Sequence, residues 1–260
     1  MRGNLIAETM RAGHTDIHFH LLPGVDDGPA TLEEAVELAR AAVRDGTDTV
    51  VATPHVRPDH VVDVWDLRDR FRELKETLAS ARVPLSVRAG GELGHEMVGR
   101  MHQDELDSIA QGPPHRRWVL LEAPFTGIAA DFNRAADELR DRGFGIVIAH
   151  PERSAGVLAT NRAGLDHELM AGSVLQVNAS SLAGDHGSAA RAAGLSLVKL
   201  GLVIVIASDA HGGARKPGLT LAHRILDDAA VGSGVARSLI DSGPRRLMTR
   251  GLEPIPAALG

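Results

Sequence analysis

The sequence predicts an α/β fold: a closed or nearly closed barrel of about seven parallel strands alternating with helices, in a single domain. Three observations predict it. Amphipathic segments ending in Gly are repeatedly followed by short β-branched apolar runs, and such alternation implies a parallel sheet. The runs VVAT (50–53), IVIA and IVIA are apolar at successive positions, as strands covered on both faces are. No glycine-rich nucleotide loop follows the first strand, which favours a barrel over an open doubly wound sheet.

The elements follow in order. The first strand lies about Ile17, within Asp16-Ile17-His18-Phe19-His20. The helix ATLEEAVELARAAVRDG comes next, with Thr31 and Glu34 spaced as a capping box. A strand near Val50 ends in Thr53-Pro54-His55. The segment DVWDLRDRFRELKETLASA alternates in charge and reads as a helix with a solvated face. A strand near Leu85 leads to Gly90-Gly91-Glu92, and one near Val119 ends in Leu121-Glu122. The helix FNRAADELRDRG precedes a strand near Ile146 that ends in His150-Pro151-Glu152-Arg153. LDHELMAG leads to a strand near Leu175, and SLVKLG to one near Val203 that ends in Ser208-Asp209-Ala210-His211. Gly46, Gly143, Gly172 and Gly201 stand where helices stop, because the left-handed turn there is cheapest for Gly. Residues 1–14 read as a loosely held extension, 15–250 as the barrel, and 251–260 as a frayed tail.

Composition narrows the chemistry. A chain of 260 residues, 43% apolar and 24% charged, can bury the core of one such barrel. A net charge of −6 without a basic block argues against nucleic-acid binding. No signal peptide or membrane-length apolar run is present, so the expected compartment is the cytoplasm. There is no Cys, which excludes disulfides, thiolate metal sites and cysteine nucleophiles. His reaches 13, and His is the commonest metal ligand.

Six of the seven predicted strands end, at the carboxyl side, in His, Asp or Glu. Barrels of this kind hold their active sites at that end. Alternation along the first strand sends His18 and His20 to one face. Each residue alone reads as an ordinary strand-end side chain; the joint pattern does not. Asp27, Glu92, Glu122 and Asp209 converging on one mouth would repel one another, and divalent cations remove that conflict. His18, His20, Asp27, His55, Glu92, Glu122, His150, Asp209 and His211 suit a cluster of two or three metals. Mixed imidazole and carboxylate donors suit Zn, Fe or Mn, and three divalent ions against four carboxylates would attract an anionic substrate. His95, His102 and His115 read as surface residues, and Trp65 and Trp118 as packing.

The blocks DIHFH, TPH, GGE, LLE, IAHPER and SDAH resemble those of the polymerase and histidinol phosphatase (PHP) superfamily. With LLPGVDDGP, QVNASS and IASDAH they resemble more closely the CpsB/CapC family of bacterial metal-dependent tyrosine phosphatases, from Thr15 to about Met248. The resemblance implies a distorted (β/α)7 barrel of the PHP type and three divalent metals, with Mn2+ first and Fe or Zn as alternatives. It implies that His18, His20, Glu92 and Asp209 hold one ion, and that Glu92, Glu122 and His150 hold a second with Glu92 bridging. Asp27, His55 and His211 would hold the third, Asp27 being preferred to Asp26 because it stands next to the Gly-Pro. Arg153 and Arg215 match phosphate-contacting arginines, with Lys216 beside Arg215.

The implied activity is phosphomonoester hydrolysis, by attack of a metal-activated hydroxide on phosphorus. The implied substrate is a phosphotyrosine protein, a bacterial tyrosine kinase governing capsule or exopolysaccharide synthesis. A tyrosine leaving group, with a pKa of about 10, needs little proton assistance. The loops Val56-Arg57-Pro58-Asp59-His60 and Ala123-Pro124-Phe125 should line the entrance. Phe125 reads as structural packing, the alternative being contact with a substrate ring. The rivals are a small-molecule phosphatase of the same superfamily, such as one for histidinol phosphate, an amide or lactone hydrolase, and a non-catalytic binding module.

Overall fold

A computed structural model describes residues 13–61, 63–159 and 162–253. The strands are β1 (His14–Phe19), β2 (Thr47–Ala52), β3 (His55–Val56), β4 (Ser86–Ala89), β5 (Glu92–Gly94), β6 (Trp118–Glu122), β7 (Gly145–Ala149), β8 (Val174–Asn178) and β9 (Val203–Ala207). The helices are α1 (Leu32–Arg44), α2 (Leu67–Ser80), α3 (Gln103–Ile109), α4 (Ala130–Asp141), α5 (Ala163–Met170), α6 (Ala179–Ala183), α7 (Gly187–Lys199), α8 (Leu219–Asp228), α9 (Ser233–Arg237) and α10 (Gly243–Arg250). No described helix is long and apolar enough to cross a membrane.

The seven predicted strands are all present, two of them interrupted. Pro54, which has no N–H to give a ladder, separates β2 from β3. Gly90-Gly91 separates β4 from β5, where the backbone passes so close to β2 that a β-carbon on Gly90 would lie 2.6 Å from Val51 Cγ1. All ladders are parallel, in the orders β1-β2-β4 and β3-β5-β6-β7-β8-β9. The ring closes at the carboxyl end, where Asp209 N–H donates to His18 O and His20 N–H to Ala210 O, both at 2.9 Å.

At the amino end β4 and β6 do not pair, and this is the distortion. Gln111 occupies the gap. Its backbone exchanges hydrogen bonds with Trp118 at 2.8 and 2.9 Å, and its side-chain Nε2 donates to Ala89 O. The interior holds Ile17, Val51, Trp118, Leu120, Val147, Val174 and Val205, while alternate residues such as Val119, Leu121, Ile146, Ile148 and Leu175 pack outward against the helices. That two-sided burial is why the strands read as unbroken apolar runs.

Leu247 of α10 plugs the amino end of the barrel, where its carbonyl accepts from Trp118 Nε1 at 3.0 Å. The chain stays anchored beyond residue 250, correcting the reading of a frayed tail: Leu252 N–H donates to Arg116 O and Glu253 pairs with Arg116 at 2.6 Å. The rest of that tail, 254–260, lies outside the described residues, as do 1–12 of the N-terminal extension. His14 already belongs to β1. Thr31 caps α1, accepting from Glu34 N–H, but the predicted box is not reciprocal: Glu34 Oε2 accepts from Ala30 N–H at 2.8 Å. Gly46, Gly143, Gly172 and Gly201 all take positive φ.

One buried ion pair ties two outer helices together. Arg140 of α4 and Glu168 of α5 are both buried and directly bonded, with Ser173 Oγ and Asn133 Nδ2 satisfying the remaining Glu168 lone pairs at 2.7 Å. Removing one partner strands the other charge away from water. Arg140→Met is therefore expected to lower unfolding free energy by about 3–5 kcal/mol, read as a shift of the urea midpoint; an unchanged midpoint would show the pair to be idle.

Candidate metal centre

The strand ends deliver their side chains to one mouth. Along β1 the pairing register slips by one residue between Asp16 and Phe19. Asp16 holds this irregular stretch: its buried carboxylate accepts from His18 N–H at 3.2 Å and from Ser208 N–H at 3.1 Å. Burial pushes the Asp16 carboxyl up to about 6, against those hydrogen bonds. His150 follows β7 at φ 35° and Asp209 follows β9 at φ 52°. Left-handed backbone is costly for such residues and concentrates at functional sites, where it re-aims side chains.

Four donor atoms converge tightly. His18 Nε2 lies 3.1 Å from His20 Nε2, 3.2 Å from Glu92 Oε2 and 3.3 Å from Asp209 Oδ1. His20 Nε2 lies 3.3 Å from Glu92 Oε2 and 3.5 Å from Asp209 Oδ1. The other ring nitrogens are occupied. His18 Nδ1 pairs with Gln176 Oε1 at 3.0 Å, His20 Nδ1 with Asp26 Oδ2 at 2.8 Å, and His211 Nδ1 with Asp209 O at 3.0 Å. Donating Nδ1–H to these oxygens leaves each Nε2 lone pair for a cation, the arrangement seen around metal-ligating His.

Glu92 is the centre. Its Oε1 meets His150 Nε2 at 2.8 Å, and its Oε2 meets His55 Nδ1 at 2.9 Å as well as the His18 and His20 rings. On the outer side, Asp27 Oδ1 lies 3.0 Å from His211 Nε2 and 3.5 Å from His55 Nε2. Four overlapping donor groups could hold ions: His20, Asp27, His55 and His211; His18, His20 and Asp209; His18, Glu92 and His150; and His55, Glu92 and Glu122. Glu122 and His150 thus flank Glu92 in separate groups rather than one. Arg57 donates to Glu122 Oε2 at 2.8 Å and holds that carboxylate.

The donors fit cations by a direct test. Glu92 Oε2, Asp209 Oδ1 and His211 Nε2 are buried and make no well-directed hydrogen bond, although ring nitrogens or a carboxylate oxygen lie 2.9, 3.3 and 3.0 Å away respectively. Such atoms are rare in folded proteins and point to an unfilled partner. The charges agree. Burial opposes charge on His18 and His55, yet the carboxylate of Glu92, with Asp209 and Asp27, pushes them up to about 9 and about 11 respectively. Burial works against ionised Glu92 and Asp209 as well, and the surrounding imidazoles hold both well below the usual carboxylate range. Burial and the neighbouring His20 push His211 down to about 4. Protons on His18 and His55 can balance the carboxylates, a balance that bound cations would take over.

All nine sequence-predicted ligands lie in this cluster, and both arginines reach it. Asp209 Oδ2 accepts from Asn178 Nδ2 at 2.6 Å, Arg215 Nη2 at 3.1 Å and Arg153 Nη1 at 3.3 Å. Arg215 also pairs with Asp27 at 2.8 Å, while Lys216 is exposed on the rim. In the loop expected to line the entrance, Val56 is fully buried, and His60 instead stacks on His55 at 5.2 Å. Trp118 is core, whereas Trp65 is 40% exposed. His102 and His115 are exposed and His95 partly so.

Asp16, Asp26, Gln176, Asn178 and Arg57 are supports that sequence reasoning missed. Gln176 and Asn178 had a legible signal, since they are polar at alternate positions of an otherwise apolar strand. Asp26 had a weaker one. Either member of the Asp26-Asp27 pair could face the metals, and Asp26 instead braces His20 and accepts from His55 N–H at 3.0 Å.

Comparison with known proteins fits this geometry. A family model described as "Capsular polysaccharide synthesis, CpsB/CapC" matches residues 14–249. The tyrosine-protein phosphatase YwqE of Bacillus subtilis is 34% identical over 201 residues, covering 75% of this chain and 76% of that protein. A Staphylococcus aureus relative named CapC is 32% identical over 206 residues, covering 78% of each. Among solved structures, one described as YwqE from Bacillus subtilis and CpsB from Streptococcus pneumoniae, unique metal-dependent tyrosine phosphatases, superposes with a TM-score of 0.76. It is 27% identical and covers 94% of this chain and 99% of that one. A phosphotriesterase homology protein from Escherichia coli shares the fold at a TM-score of 0.60 and 12% identity, covering 90% of this chain and 98% of its own.

Proposed function

The chain belongs to the CpsB/CapC family, and from that premise we propose that it hydrolyses protein phosphotyrosine with divalent metal ions. The observation that carries this reading is the gathering of nine His, Asp and Glu side chains at one mouth with Glu92 at the centre, three of their buried atoms without a well-directed hydrogen bond. The names of the relatives favour a tyrosine phosphatase over a histidinol-phosphate phosphatase. The substrate we assign is a bacterial tyrosine kinase of capsule or exopolysaccharide synthesis, and the compartment is the cytoplasm.

His18, His20, Glu92 and Asp209 would hold one ion; Glu92, Glu122 and His150 a second; Asp27, His55 and His211 a third. Arg57 holds Glu122 Oε2 beside this second site. Mixed N and O donors favour Mn, Fe or Zn, with Mn2+ our first choice. Bound there, such ions supply Lewis acidity and bring the pKa of water from 15.7 toward 7.

The chain's own residues do the rest. Arg153 and Arg215 point at Asp209 from the open side of the cluster, where they would grip the non-reacting phosphoryl oxygens. Positioning and electrostatics of this kind supply most of phosphoryl-transfer catalysis. Asn178 fixes Asp209 Oδ2 and so aims Oδ1 inward. Gln176 and Asp26 hold the His18 and His20 rings in one tautomer. Arg153→Ala is expected to raise KM for a phosphotyrosine peptide about 10- to 100-fold, the worth of a charged hydrogen bond, with a smaller change in kcat. An unaltered KM would remove Arg153 from phosphate binding.

The deciding assay sets a phosphotyrosine peptide beside histidinol phosphate and a phosphoserine peptide, with Mn2+ present. The phosphotyrosine peptide should give the highest kcat/KM. A preference for either other substrate would overturn the assignment.

A further inference from the structure

Phe125 lies outside the core, at the edge of the cluster. It is 52% exposed, although sequence reasoning placed it as structural packing. The Arg153 guanidinium carbon lies over its ring at 4.6 Å, and the ring sits 6.1 Å from that of His150. Arg153 therefore faces two ways, with Nη1 on Asp209 at 3.3 Å and its flat face on Phe125. Behind Phe125 opens a groove of about 680 Å³, bounded by Arg153, Val157, Leu158, His186 and Ala190.

We infer that Phe125 and this groove form the subsite for the aromatic ring of the leaving group, and so distinguish aryl from alkyl phosphates. The inference rests on the phosphotyrosine reading and locates its selectivity. A phosphoryl group held by Arg153 has its leaving ring one ester oxygen away. Aromatic rings pair at centroid separations of roughly 4.5–7 Å, and Phe125 lies in that range of His150, a member of the cluster. Arg153 belongs to both places, lining the groove while its Nη1 reaches Asp209 of the cluster, so the groove begins beside the phosphoryl position.

His186 and the buried Glu152 also line the groove. His186 Nδ1 is tied to Ser181 Oγ at 2.9 Å, and burial together with Arg153 pushes its pKa down to about 4. A neutral imidazole beside an apolar floor suits a ring and gives nothing to a solvated serine side chain. A seryl phosphate would leave Phe125 and Leu158 in water and forgo that burial.

The test is steady-state kinetics of Phe125→Ala and Phe125→Tyr with Mn2+, on a phosphotyrosine and a phosphoserine peptide, with inorganic phosphate as inhibitor. Phe125→Ala should raise KM for the phosphotyrosine peptide about tenfold, shrink the preference over phosphoserine by about the same factor, and leave inhibition by inorganic phosphate within about twofold. Phe125→Tyr should restore the wild-type KM. An unchanged KM overturns the inference. So does a parallel rise of KM and of the phosphate inhibition constant, which would mean that Phe125 acts only by holding Arg153. Absence of wild-type activity on the phosphotyrosine peptide overturns the proposed function itself, and is seen before any variant is made.

Discussion

Asp209→Asn is expected to cost at least about 10³-fold in kcat/KM while leaving the barrel folded. The substitution keeps size and shape but removes one of two acceptor oxygens. In the parent, Oδ1 faces the His18 and His20 rings at 3.3 and 3.5 Å, and Oδ2 accepts from Asn178, Arg153 and Arg215. An amide cannot serve both sides: one side must face an NH2. If the amide nitrogen turns inward, it opposes any cation between the two rings. If it turns outward, it opposes two guanidinium groups. The lost negative charge also leaves those arginines against a more positive centre. Metal content per chain, kcat/KM and far-UV circular dichroism on the same preparation check this. Activity within about tenfold of the parent, with full metal content, would show that Asp209 is not in the machinery. His20→Ala should behave alike, since it removes a donor held by Asp26 and facing Glu92.

Chelation is the second large effect. Stripping the ions should abolish activity and lower Tm, and the drop in Tm should depend on pH. In the ion-free arrangement, His18 titrates near 9 and His55 near 11, both raised by Glu92 and its neighbours against the pull of burial. A His raised on folding stabilises fully below its unfolded value of about 6.5, and that contribution fades as pH rises through its folded value. Glu92 and Asp209 shift the other way, so their contribution is present above about pH 4.5 and lost as pH falls. The chelated protein should therefore be most stable between about pH 5 and 6.5, and lose stability steadily toward pH 9 and above.

The ion-loaded protein should not follow, because ligating imidazoles are already deprotonated. The Tm gap between loaded and chelated protein should widen from pH 6 to pH 9. Adding Mn2+ to chelated protein at pH 7 should release protons, measurable with an indicator dye in weak buffer. A gap that narrows with pH, or no proton release, would contradict the ion pairs around Glu92. Metal analysis of the protein as purified should give more than one equivalent; a fully folded, metal-free protein would sink the metal reading.

Much of this was legible in the chain. The seven strands, the helix stops and the candidate residues at the strand ends could be read because strand burial and strand ends are local properties, whereas Asp27, in the loop after β1, was chosen over Asp26 by family resemblance alone. An apolar run covered on both faces looks the same wherever it pairs, and a His or Glu one step past it must stand at the carboxyl edge. The absence of Cys excluded a whole class of phosphate chemistry without any coordinates.

What the tertiary structure alone decided is how distant segments meet. Asp16 braces Ser208 across 192 positions, Gln176 orients His18 across 158, and Glu92 touches His150 across 58. The structure put Asp26 behind His20 and Asp27 in front of His211, set Glu122 against Arg57, and left Phe125 in the open. Gln111 filling the gap between β4 and β6 had no local signature. The physical reason is common to all of these. Residue type and period state which groups stand at the mouth, but the register slip in β1, the left-handed turns at His150 and Asp209 and the closure of the ring determine which atoms face each other.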